Sequence, residues 1–281
     1  MALCNLESML LKAQKEQYAV GSFDIFNIEM LKGVLGAAEE TRSPVIVAYG
    51  EAFEELLPME SFARTVIDMA QRATVPVAVH LDHAVSFDLI VRAVHCGFTS
   101  VMIDASDKSL EDNIEITRKV VEVCRALNVS VEAELGHVSG LGTLYESDEH
   151  IYTDVQQAKY FTEQTQVDAL AVSIGTVHGV HKEAPRLNLK RLKEIRAVVS
   201  QPLVLHGGSG LSEQDFRNTI IDGICKVNIY TDLTLAALDS IRNSAMDMRL
   251  SYIDQCVMIA DAVKREAIRK MKIFGCCGKA D

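Results

Sequence analysis

The chain has 281 residues, of which 48% are hydrophobic and 24% charged, the composition of a soluble globular protein and not of a disordered one. Its formal net charge of −11 argues against a nucleic-acid or anionic-membrane surface, since both want clustered Lys and Arg. A small anionic ligand is not excluded, because it needs only a local basic pocket. No apolar run approaches membrane-spanning length, and no basic segment followed by an apolar one opens the chain. The seven cysteines are scattered without C-x-x-C spacing, which fits reduced thiols and a cytoplasmic location.

A strand-then-helix unit recurs along the sequence. Residues 18–23 read as the first strand, and Asn27 as the cap of a helix with Ile28, Leu31, Leu35 and Ala38 on one face. The second strand, 45–49, follows Pro44, and its helix follows Pro58 with Phe62, Val66, Met69 and Ala73 as the apolar stripe. Residues 77–84 form the third strand, succeeded by a helix from Ser86 to Gly97. Strands at 100–103 and 129–135 flank a helix opened by Ser109 and Asp112. The segment 136–152 is too long for an ordinary connection, and Thr153 with Gln156 reads as a capping box beyond it. Strands at 169–174, 203–206 and 226–229 complete the set, each followed by a helix, and a last helix starts at Ser251. Eight alternating pairs in one array, with no linker, predict a single α/β domain over 1–281. The expected form is a TIM (β/α)₈ barrel with an additional C-terminal helix. The alternative, an open doubly wound sheet, normally carries a G-x-G-x-x-G turn after its first strand, and none stands there.

Function should lie where the strands stop, because ligands sit at the C-terminal mouth of parallel α/β sheets. His83, His178 and His206 follow the third, sixth and seventh strands. Three imidazoles leaving one position open describe a catalytic Zn2+ site. Asp82, beside His83, suits general acid–base work, or else orients a ligand histidine; His80 is read as such an orienting group. Asp104 and Glu134 end the fourth and fifth strands and could hold an alternative or second metal, or simply bond loop amides. The turns Gly175-Thr176-Val177-His178-Gly179 and His206-Gly207-Gly208-Ser209-Gly210 let backbone N–H groups crowd an anion. Asn228 and Thr231 add an amide and a hydroxyl there, and Lys182 a positive charge.

The motifs His80-Leu81-Asp82-His83, Glu132-Ala133-Glu134-Leu135-Gly136, Gly175-Thr176-Val177-His178-Gly179, His206-Gly207-Gly208-Ser209-Gly210 and Lys226-Val227-Asn228-Ile229 together resemble the class II, metal-dependent ketose-bisphosphate aldolases, nearest the tagatose/fructose-bisphosphate subgroup. The resemblance covers nearly the whole chain in order. It implies one zinc ion per subunit held by His83, His178 and His206, and Asp82 as acid–base at the C4 hydroxyl. It implies phosphate contacts from Gly179, Lys182, Gly207, Gly208, Ser209, Asn228 and Thr231, with a monovalent cation near that site as a further candidate, and a homodimer or homotetramer. The reaction implied is reversible cleavage of a ketose 1-phosphate or 1,6-bisphosphate to dihydroxyacetone phosphate and an aldehyde, through a metal-stabilised enediolate.

Two positions depart from the pattern. Many relatives carry Asn where Asp24 stands, and often Ser or Thr near Gly50, which Glu51 follows here. In the loop after Gly136, relatives place acids that handle the C3 proton just after a Gly-Gly; here Glu146 is the candidate. Lys279, near the C-terminus, is a candidate for a second phosphate. Asp24 and Glu51, on the rim where the far half of the substrate emerges, would repel one, so a ketose 1-phosphate with an unphosphorylated tail is expected to be preferred. The rivals are a noncatalytic sugar-phosphate-binding barrel, which would bind without turnover, and a metal-dependent phosphosugar isomerase or epimerase, whose products keep their carbon number.

Overall fold

The computed structural model describes residues 2–136, 152–177, 179 and 185–281. Glu146, His178 and Lys182 lie outside the described residues. Eight parallel strands close into one barrel in chain order, β1 pairing with β8 as well as β2. They are β1 (Val20–Asp24), β2 (Val45–Gly50), β3 (Val77–Ala84), β4 (Ser100–Ile103), β5 (Ser130–Leu135), β6 (Ala169–Val172), β7 (Leu203–Leu205) and β8 (Ile224–Ile229).

Outer helices connect them. In chain order among the described residues, the helices are α1 (Leu6–Glu16), α2 (Ile28–Thr41), α3 (Met59–Arg72), α4 (Phe87–Cys96) and α5 (Leu110–Ala126). They continue with α6 (Val155–Thr165), α7 (Leu189–Val198), α8 (Glu213–Ile221), α9 (Thr231–Ser244) and α10 (Tyr252–Phe274). A 3-10 turn, Glu51–Phe53, follows β2. Capping explains most of the starts: Asn27, Ser86, Ser109, Ser212 and Ser251 each accept an N–H from the first turn of their helix.

Two local expectations are corrected. The chain opens with α1, which sequence patterning here passed over. Asn5 caps it and Leu6, Met9, Leu10 and Ala13 are buried, so the signal was a short apolar stripe with i, i+3, i+4, i+7 spacing. Thr153 does not cap α6; Asp154 does, accepting from the N–H groups of Gln156 and Gln157. The Thr153 hydroxyl instead donates to the Leu135 carbonyl and accepts from Ser173 N–H, tying β5 to β6.

Strand alternation positions the chemistry. The strands are buried on both faces, so they read as apolar runs, but the buried polar side chains share one parity. Ser22, Asp24, His80, Asp82, Ser100, Glu132, Glu134, Lys226 and Asn228 are all even-numbered and buried. Register keeps them level: Ser22 pairs with Asn228, and His80 with Ser100. One face of β1, β3, β5 and β8 therefore gathers ionisable groups inside the barrel. On the outside, α10 packs closely on α2, where a Cβ at Gly33 would stand 2.8 Å from Val263 Cβ.

Candidate active site

The end of β3 bends sharply. Its register with β4 shifts between Leu81 and Ala84, and His83 adopts a left-handed backbone with φ of 48°. That conformation costs a non-glycine residue on the order of 1–3 kcal/mol. It carries the His83 ring across the mouth, where Nδ1 lies 2.8 Å from Asp104 Oδ2 and Nε2 lies 2.9 Å from His206 Nδ1. A hydrogen bond to a charged partner contributes about 1.5–3 kcal/mol, enough to offset the strain. Asp104 is itself fixed, accepting from the N–H and hydroxyl of Ser106 at 3.1 and 2.7 Å.

His206 is held from the other side. Its Nε2 is 2.9 Å from Glu132 Oε1, and Lys226 Nζ donates to that same oxygen at 3.1 Å while pairing with Oε2 as an ion pair at 2.9 Å. Glu132, Lys226 and His206 are fully buried. Burial opposes the Glu132 charge, but Lys226 and the His206 hydrogen bond outweigh it and take its pKa down to about 2. Burial and the neighbouring His83 charge push His206 below its ordinary value, so it stays neutral. Burial also disfavours a charged His83, yet Asp82 and Asp104 reverse the balance and raise its pKa to about 10.

This donor set fits a divalent metal. Two ring nitrogens face each other, and each ring has a carboxylate on its other nitrogen, the arrangement that fixes tautomer and orientation in metal-binding histidines. Ligand atoms of Asp82, His83 and His206 all lie within 4.8 Å of one another, as do those of His83, Asp104 and Glu134. His178, the third expected ligand, lies outside the described residues.

Asp82 sits on the floor beside this pair, 5% exposed. Asn228, expected among the phosphate contacts, donates its amide to Asp82 Oδ1 at 3.0 Å. His80 Nε2 lies 3.6 Å from the same oxygen, while its Nδ1 is 2.9 Å from Ser100 Oγ. Burial opposes the Asp82 charge; His83, His80 and Lys226 together hold its pKa well below the usual carboxylate range. Asp24 goes the other way, raised by burial and then by the charge of Asp82. Among the described residues its Oδ1 has no hydrogen-bond partner. The two neighbouring carboxylates are thus shifted in opposite directions, Asp82 toward the ionised form and Asp24 toward the protonated one.

Above the floor opens a cavity of about 550 Å³, large enough for a small phosphorylated sugar. One wall is the 207–210 turn with Thr231 and Gly179. Gly207 has φ of 63°, and a Cβ there would stand 2.6 Å from the Val177 carbonyl oxygen, so only glycine lets the two turns touch. The side formed by the ends of β1 and β2 holds Asp24, Glu51 and Phe53, with Tyr230 from the end of β8 against the Phe53 ring. Phe53, Tyr230 and Phe26 form an aromatic cluster with centroids 5.4–6.4 Å apart. No Lys or Arg is among the described residues lining the cavity. Lys279 is not brought there by its own chain: its ammonium pairs with Glu16 of α1 at 2.8 Å.

The buried Lys226–Glu132 pair and the aromatic wall were not assigned roles from sequence. A Lys and a Glu inside otherwise apolar strands were the available signal for the first, since unpaired burial would be costly.

A histidine pair backed by carboxylates, set beside an aspartate held toward its ionised form at a barrel mouth, is the donor set of a candidate metal site in a barrel fold. The family model described as fructose-bisphosphate aldolase class-II matches residues 4–279. YdjI of Escherichia coli K12 is 43% identical over 271 residues, covering 96% of each chain. A fructose-bisphosphate aldolase of Geobacillus stearothermophilus is 38% identical over 288 residues, covering 100% of this chain and 99% of that one. The crystal structure of the E. coli YdjI aldolase superposes with a TM-score of 0.90 at 39% identity, over 99% of this chain and all of that one. The chain belongs to the class II fructose-bisphosphate aldolase family, whose reaction is a carbon–carbon lyase reaction and whose dependence on zinc is characteristic.

Proposed function

We propose that this protein cleaves a ketose 1-phosphate whose far end carries no second phosphate, giving dihydroxyacetone phosphate and an aldehyde. The observation that carries the reading is the asymmetry of the cavity. Glycine turns line one wall, while Asp24, Glu51 and an aromatic cluster line the other, with Asp82 and His83 between them.

The glycine wall, through Gly179, Gly207, Gly208, Ser209 and Thr231, offers backbone and hydroxyl donors to the 1-phosphate, and Lys182 is proposed to join them. A monovalent cation near this wall is part of the same proposal. The far wall suits hydroxyls: carboxylates accept well from them, and a sugar's C–H faces pack on aromatic rings. A carboxylate about 4 Å from a phosphate charge costs about 1 kcal/mol in bulk water and about 4 kcal/mol at surface-like dielectric. That disfavours a bisphosphate.

In the cleavage direction Asp82 removes the proton of the C4 hydroxyl, and in condensation it returns it. Its low pKa keeps it a free base at neutral pH, and Asn228 fixes the orientation of its carboxylate. His83, His206 and His178 are the residues proposed to hold zinc, which when bound supplies Lewis-acid polarisation of the ketose carbonyl. Asp104, Glu132 and Lys226 keep the first two rings in the required tautomer. Glu134 with Asp104 offers an alternative metal position. Glu146 is proposed for the C3 proton.

Self-association as a homodimer or homotetramer is supported by outward-facing Leu238 and Ile241 of α9 and Tyr252 and Ile253 of α10, an exposed apolar strip. A cytoplasmic location is supported by cysteines that are all free. No described helix is long and apolar enough to cross a membrane. A coupled assay for dihydroxyacetone phosphate across ketose mono- and bisphosphates tests the function; no release from any of them refutes it.

A further inference from the structure

We propose that Lys270, on the outermost helix, is a positioning residue for the substrate phosphate, acting through Asp232 and Phe216 on the 207–210 turn. It rests on the reading of that turn as the phosphate site.

Lys270 belongs to α10, outside the barrel, yet its side chain is only 1% exposed. Its ammonium pairs with Asp232 Oδ2 and stands 4.8 Å from the centroid of the Phe216 ring. The nearest other carboxylate is Glu266, at 3.8 Å. The same Oδ2 of Asp232 accepts the N–H of Gly210 at 3.3 Å, and Asp232 donates its own N–H to Ser209 Oγ at 3.3 Å. Phe216 lies beneath Gly208, its Cε1 3.3 Å from where a Cβ would stand. Residues 208, 209 and 210 are therefore each supported by a group that Lys270 touches.

Charge gives the arrangement its purpose. Asp232 is well placed to hold Gly210, but an anion in the turn would meet its carboxylate at close range. An ammonium on that carboxylate cancels the repulsion while leaving the hydrogen bond intact. A buried ion pair is no cheaper than well-packed apolar side chains, so stability alone does not account for a lysine here. Removing Lys270 should free Asp232 from its anchor and expose its charge to the phosphate. Removing both charges should relieve the repulsion.

The test uses the zinc-loaded full chain at equal zinc content. Inorganic phosphate is titrated by calorimetry, KM and kcat are measured on the cleaved ketose phosphate, and thermal melts follow folding. Lys270→Met is expected to raise the phosphate Kd and the KM about tenfold, with kcat within about twofold, the scale of losing one charge-assisted contact. Lys270→Met combined with Asp232→Asn is expected to recover most of the affinity. Should Lys270→Met not fold, Lys270→Gln, which keeps a hydrogen bond to Asp232 and removes only the charge, is expected to show the same loss. An unchanged phosphate Kd and KM in the folded single variant overturns the proposal, even if the melting temperature falls. So does a double variant that recovers nothing. A wild-type protein that cleaves ketose phosphates but binds no inorganic phosphate overturns this proposal alone; one that does neither overturns the aldolase reading with it.

Discussion

His83 Nε2 and His206 Nδ1 lie 2.9 Å apart although 123 positions separate them in the chain. Closure of the barrel brings β3 and β7 to one mouth, and a carboxylate behind each ring decides which nitrogen faces the other.

Chelation of the purified protein is expected to abolish cleavage, and added zinc to restore it. Asp104→Asn should weaken zinc binding by about 10–100-fold, because it removes the charged partner of the His83 ring without touching a ligand. Competition with a chromophoric chelator measures this directly. Zinc affinity equal to wild type would mean that Asp104 does not set the orientation of His83.

Asp82→Asn separates binding from proton transfer. Zinc content and phosphate affinity are expected to survive, while turnover falls by about 10²–10⁴-fold. A variant retaining near-wild-type turnover would hand the C4 proton to another group.

His178→Ala tests the one proposed ligand outside the described residues. Bound zinc, by elemental analysis after dialysis, is expected to drop measurably, and full occupancy would remove His178 from the set.

Much of this was legible in the sequence, and the reasons for the rest are physical. The β3 run ending in His80, Asp82 and His83 announces a strand and a site together, because an apolar stretch cannot absorb three ionisable groups without a use for them. The barrel follows from repeated strand–helix alternation. Glu132 and Lys226 stood in motifs as letters, but their pairing depends on β5 and β8 facing each other across a closed barrel, which no local pattern encodes. Lys270 occupies a helical position between Arg269 and Met271 that reads as an ordinary amphipathic boundary. Only the tertiary approach of α10 to α8 and α9 buries it. The helix α1 is legible in the i, i+3, i+4, i+7 spacing of Leu6, Met9, Leu10 and Ala13.

Asp24→Asn carries a pH signature. In the fold the Asp24 pKa is raised above the ordinary value of about 3.9. Between the two values the folded state keeps a proton that the unfolded chain has lost, so stability falls as pH rises through that window and stays lower above it. The metal-free variant is therefore expected to melt above metal-free wild type at pH 7, with the gap closing as the pH approaches about 4. A gap of the same size at both pH values would mean that the Asp24 charge is not its cause. The same variant is expected to gain activity on a bisphosphate relative to a monophosphate.

The most direct measurement is kcat/KM by coupled detection of dihydroxyacetone phosphate, on a ketose 1-phosphate and its 1,6-bisphosphate of equal chain length and stereochemistry. The expected result is release from both, with an advantage of about tenfold or more for the monophosphate, the size that a carboxylate near the far end imposes on a second phosphate. A clear advantage for the bisphosphate would contradict the assignment of the far wall, and no release from either would contradict the aldolase itself.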